Sequence, residues 1–195
     1  VGMSLKRLQR IDQQVGAHIY NKELAGAVVL IARKGRVVYH KAFGMQDLAT
    51  SKPMSKRTIF RIASMTKAIT SVAIMMLYEQ DHLDLADPVS KYIPAFQHMQ
   101  VVTNPKAKSE PLTTKPAKAP ITIRDLLTHT SGFGYGHGIA ADRWAEAGIQ
   151  GYYFSDRDEP IAATVSRMAG LPADAQPGEE FRIEAATNAE LIDRL

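Results

Sequence analysis

The chain has 195 residues, 45% hydrophobic and 23% charged, with a formal net charge of +4. That balance excludes disordered, collagen-like and disulfide-scaffold classes and leaves enough chain for a buried core. The absence of cysteine excludes disulfides, thiolate metal sites and a cysteine nucleophile. Between Thr103 and Pro120, four lysines (Lys106, Lys108, Lys115, Lys118) face Glu110 alone, so this stretch supplies +3 of the total. The basic character is therefore one exposed loop without interleaved aromatic residues, which argues against a nucleic-acid partner.

No run approaches the ~18 apolar residues of a membrane span. The opening Val1–Arg7 lacks the apolar core of a signal peptide, which favours a cytoplasmic location and no membrane partner.

Ser4 to about Glu23 predicts an amphipathic helix, with Leu5, Leu8, Ile11, Val15 and Ile19 three and four residues apart and Ser4 as its cap. The β-branched run from Ala25 to Ala32 and the shorter Val37–His40 predict a hairpin turning at Lys34-Gly35. Phe60 to Gln80 carries the longest apolar helical pattern. Its apolar residues cover most of the circumference, which predicts a helix lying deep in the protein and ending at Asp81-His82. Leu83–Val89 then turns into Lys91–Pro94. After the lysine-rich loop, Thr122 or Asp125 caps a short helix through Leu127. The glycine-rich Gly132–Gly138 does not fit G-x-G-x-x-G and follows no clear strand, so a phosphate cradle is not expected. Glu159 to Ala169 predicts a helix with Pro160 in its first turn, and the residues from Ala186 are helix-prone.

Ser64-Met65-Thr66-Lys67 carries the chemistry that the sequence suggests. Residues three apart share a helix face, so the Ser64 hydroxyl and the Lys67 amine can meet. A serine hydroxyl attacks only when a base takes its proton, and lysine is a base only when its ammonium form is disfavoured. Taken alone, the tetrad is a weak signal and reads more simply as a capping serine beside a surface lysine. The six histidines show no H-E-x-x-H or comparable ligand spacing, so no metal site is expected.

Three blocks in order give the tetrad a context: Phe60–Lys67, Leu83–Pro94 and Ile121–Gly132. Together they resemble the serine β-lactamase-like hydrolases, which include class C β-lactamases, penicillin-binding DD-peptidases and family VIII carboxylesterases. The resemblance runs to about Arg182, and Glu146–Pro160 is most similar to the esterase branch. It implies an α+β, β-lactamase/transpeptidase-like fold: residues 1–60 as helix and strands, 61–182 as a mainly helical and loop subdomain, and 183–195 as a divergent tail. It also implies acyl-enzyme hydrolysis of a small ester or β-lactam, with Ser64 as nucleophile, Lys67 as base, the Ser64 N–H as half of the oxyanion hole, and no cofactor. In that resemblance the block holding His129 is structural. Trp144, Tyr152, Tyr153 and Phe154 read either as acyl-pocket walls or as core.

Two departures qualify the resemblance. The tyrosine of a Y-x-N-like motif would follow Pro177–Arg182, but Ile183 stands there and cannot transfer a proton. Ser155-Asp156 is followed by Arg157, so S-D-N is not formed, and no K-T-G-like block follows Arg182. The chain thus reads as a C-terminally shortened relative. The alternative to an active esterase is an impaired relative acting as a binding or assembly module. An incomplete sheet would leave an unpaired edge, suited to a homo-oligomer or a complementing chain.

Overall fold

The computed structural model describes residues 2–103, 112–150 and 158–181. The chain divides into two compact units, Val1–Arg61 and Ile62–Leu195.

The first unit is a helix and a hairpin. Helix α1 (Leu5–Tyr20) starts where expected, with the Ser4 hydroxyl accepting from the Arg7 N–H at 3.4 Å. Strands β1 (Gly26–Arg33) and β2 (Arg36–Asp47) pair antiparallel, and the two-residue β3 (Lys52–Pro53) extends the sheet in the order β1-β2-β3. Lys34 and Gly35 both have positive φ, 51° and 69°. This is the mirror-image turn that matches the twist of a hairpin, and the glycine adopts it without steric cost. β2 runs well beyond the expected Val37–His40. Between α1 and β2, Asp12 accepts from the Tyr39 hydroxyl at 2.9 Å and from Lys41 Nζ at 2.8 Å, while Leu8 and Tyr39 are buried.

The second unit holds the larger core. A 3-10 turn, Ala63–Met65, leads into α2 (Thr66–Glu79). Asp81, at φ 57°, closes the helix end as the His82 N–H donates to the Leu77 carbonyl at 3.0 Å. Beyond two further 3-10 turns come β4 (Gln100–Val102) and β5 (Thr114–Pro116), then α3 (Ile123–Leu127), α4 (Ala141–Glu146) and α5 (Ile161–Ala169). Phe133 sits edge-on to both Phe96, at 6.0 Å, and Trp144, at 5.9 Å. Around them pack Val89, Val101, Ile121, Ile123, Leu126, Val165 and Met168. Trp144 is thus core, and its indole N–H donates to the Pro172 carbonyl at 3.3 Å.

The blocks Leu83–Pro94 and Ile121–Gly132 are joined through their backbones. The Val89 N–H donates to Ile121 at 2.8 Å, Ile123 to Asp87 at 3.1 Å and Arg124 to Leu85 at 2.9 Å. The glycine-rich stretch closes on the half-buried Asp174 side chain. A Cβ on Gly138 would lie 2.2 Å from an Asp174 carboxylate oxygen, and one on Gly134 would lie 2.9 Å away.

Two expectations are corrected. The Thr103–Pro120 stretch is not a loop throughout: β5 inside it pairs with β4, its backbone hydrogen bonds being more favourable than solvation alone. Lys118 is also anchored, with Nζ 2.6 Å from Glu179 and its N–H donating to Gln176 Oε1 at 2.8 Å. Helix α2 is not deep. Of its residues only Ile74 is buried, because the described residues pack against one side of it alone. Residues 151–157 and Ile183, with the helix-prone end from Ala186, lie outside the described residues.

Candidate active site

The tetrad spans a 3-10 turn and the start of the α-helix that continues it. Ser64 occupies the 3-10 turn and Lys67 the first turn of α2. Ala63, immediately before the serine, has φ 46°, a left-handed conformation that strains a residue carrying a Cβ. Lys67 Nζ lies 3.2 Å from Ser64 Oγ. Ser64 is exposed and Lys67 half-buried, so the hydroxyl can be reached from solvent.

The helix start has no side-chain cap. The preceding 3-10 turn supplies acceptors for the first donors, the Met65 N–H bonding to the Ile62 carbonyl at 3.1 Å, and the helix dipole adds partial positive charge at this end. An oxyanion forming on a carbonyl bound at Ser64 would develop in that field.

Sequence reasoning assigned His129 no part near the tetrad, yet the charge of Lys67 acts on it. His129 follows α3 with φ 59°. Its loop is held by the Thr122–Asp125 capping box, by the Thr130 hydroxyl donating to Asp125 at 2.9 Å, and by the Gly178 N–H donating to the Thr130 carbonyl at 2.8 Å. The His129 ring meets Phe181 edge-on at 6.0 Å. Burial, and then the positive charge of Lys67, hold its pKa below the ordinary imidazole value. No spacing rule could have announced this interaction, since 62 positions separate His129 from Lys67.

The beta-lactamase family model matches residues 9–194. The chain belongs to the beta-lactamase family. Its fold is the β-lactamase/transpeptidase-like one, with mixed helices and small antiparallel sheets. Esterase EstB of Burkholderia gladioli is 34% identical over 187 residues, covering 91% of this chain and 42% of the relative. Among solved structures, EstCE1, described as a hydrolase with promiscuous acyltransferase activity, superposes with a TM-score of 0.75 at 29% identity. That match covers 95% of this chain and 45% of EstCE1. The simvastatin synthase LovD from Aspergillus terreus shares the fold at a TM-score of 0.72 and 24% identity. This member of the family thus spans less than half the length of relatives that are esterases and acyltransferases. Among the described residues, no group of three or more His, Asp or Glu could hold a metal, and no helix is long and apolar enough to cross a membrane.

Proposed function

We propose that the chain carries the nucleophile and base of a serine carboxylesterase of the family VIII type, acting through the S-x-x-K tetrad on small acyl esters and weakly on β-lactams. The observation that carries this reading is the 3.2 Å separation of Lys67 Nζ and Ser64 Oγ. It is supported by kinship with EstB and EstCE1.

With Lys67 as ammonium, Nζ donates to Oγ and the pair is at rest. In the reactive form a neutral Nζ accepts from the serine O–H. Oγ then bonds to the ester carbonyl carbon as its proton passes to Nζ. The tetrahedral oxyanion collapses, the C–O bond to the leaving group breaks, and the departing alkoxide takes the proton from Lys67. Water, giving a proton to the same amine, then releases the acid and regenerates Ser64. An acceptor alcohol in place of water gives a new ester.

Incubation with p-nitrophenyl butyrate, followed by intact mass spectrometry, tests the reading. A butyryl adduct is expected on the chain and absent from Ser64→Ala. A folded chain that acquires no adduct overturns it. The rival, an impaired relative acting as an assembly module, is favoured by one observation, the solvent-facing apolar side of α2. That reading predicts no adduct together with self-association or capture of a partner.

A further inference from the structure

A cavity of about 460 Å³ opens within the second unit, between the turn at Pro88, the 3-10 turn Pro94–His98 and the segment that follows β5. Its volume lies in the range of small-molecule sites. Phe96 and Met99, only 3% and 4% exposed, form an apolar floor. The walls are tied by hydrogen bonds. The Ala117 N–H donates to the Met99 carbonyl at 2.9 Å, and the Val89 N–H to the Ile121 carbonyl at 2.8 Å. Gln176, buried and outside the lining, accepts from the Lys118 N–H at 2.8 Å. A ligand therefore meets a shape that already exists and has little to order on binding.

The polar groups around that floor are donors. Ser90, Gln97, His98 and Gln100 line the cavity, and among the described residues their side chains have no hydrogen-bond partner. Each carries at least one N–H or O–H to give. Lys118 adds an ammonium with three donors, of which Glu179 takes one at 2.6 Å, leaving two.

Among the described residues that line the cavity, none is a carboxylate. The two acids next to lining residues are held by lysines, Asp87 by Lys91 and Glu179 by Lys118. Donors and a positive charge above an apolar floor complement a molecule with a hydrocarbon body and a negative end. Inorganic phosphate has nothing to set on the floor, a neutral hydrocarbon has nothing for the donors to grip, and an organic cation is repelled.

We propose that this cavity binds a small amphipathic carboxylate, with its hydrocarbon part on Phe96 and Met99 and its carboxylate on Lys118 and His98. No residue of the Ser64–Lys67 tetrad lines it. The site therefore takes its ligand whether or not Ser64 is reactive, and it stands independently of the esterase reading.

The test titrates the chain, carrying isotope-labelled methionine methyls, with 4-phenylbutyrate and with its neutral counterpart 4-phenylbutanamide, followed by NMR. The signal lost in Met99→Leu assigns the methyl on the floor. A saturable shift of that signal with phenylbutyrate is expected in about the millimolar range, the reach of so small a ligand. The amide should bind at least ~10-fold more weakly, because it forfeits the charge-assisted bonds. Added salt should weaken the acid alone. Lys118→Met combined with His98→Gln should remove the difference between the two ligands. Both side chains are exposed, so circular dichroism should not change. Equal binding of acid and amide overturns the proposal. So does a Met99 signal that stays still while the exposed Met65 or Met76 shifts. Ser64→Ala should bind the acid as the parent chain does; loss of binding there would put the carboxylate at the tetrad and overturn the proposal as well. The butyryl-adduct experiment decides the esterase reading by itself.

Discussion

Ala63 holds a left-handed φ of 46° without being glycine. Relieving that position exposes what it does. Ala63→Gly should raise stability by about 1 kcal/mol, the cost of placing a Cβ in this region, and should slow acylation of Ser64 by letting the turn wander. Urea unfolding and adduct kinetics check the two effects. Lys67→Met keeps much of the side-chain volume and removes the proposed base. Acylation should fall by about 10²- to 10⁴-fold, the usual contribution of a positioned proton acceptor. Both residues illustrate what a sequence conveys at this scale. The serine and lysine types, three apart, already suggest the chemistry proposed for them. Nothing in the chemistry of alanine announces a positive φ, so the 3-10 turn that carries Ser64 was invisible, and a continuous helix from Phe60 was the natural reading.

Among the elements, α3 is the smallest with a visible purpose. Its five residues are started by a full capping box, in which the Asp125 N–H donates to the Thr122 hydroxyl at 3.2 Å and the Thr122 N–H donates back to the Asp125 carboxylate at 2.9 Å. The same carboxylate accepts from Thr130, so one side chain both starts the helix and fixes the loop bearing His129. Thr122→Ala should cost about 1 kcal/mol, the usual loss for a cap. Asp125→Ala should cost about 2–3 kcal/mol, because a charged acceptor of several bonds is lost. Thermal unfolding of the two variants gives the comparison. Helices α1 and α5 and the β1–β2 hairpin were legible because period and turn chemistry are local. Helix α4 was not. Its six residues start without a side-chain cap, and they are held as a helix by Trp144 entering the core beside Phe133.

Acid tests the molecule as a whole, because each unit contains a carboxylate that folding holds in its charged form. In the first, hydrogen bonds from Lys41 and Tyr39 lower the pKa of Asp12. In the second, Lys91 and Tyr92 bring Asp87 down from 3.8 to about 2. A folded pKa below the unfolded one means that the proton binds the unfolded chain more readily. The stabilisation is therefore complete above the unfolded value and is lost as pH falls from about 4 to about 2. Stability should decline over that interval, and Asp87→Asn should flatten part of the decline in a pH series of urea midpoints. The sequence conveyed the family and the fold class. It could not convey contacts such as Gly138 with Asp174, where sequence distance hides the approach. Nor could it convey the exposure of α2, because apolarity tells that a face seeks cover without telling whether these residues supply it.

The bare side of α2 also has a chemical cost. Met65, Met75 and Met76 meet solvent, whereas Met99 and Met168 are enclosed in the core. Peroxide reaches the former first and converts a flexible thioether into a polar sulfoxide. Since Met65 is bonded directly to Ser64, oxidative damage would begin beside the proposed nucleophile, and a reducing environment would preserve both the helix face and the hydroxyl next to it.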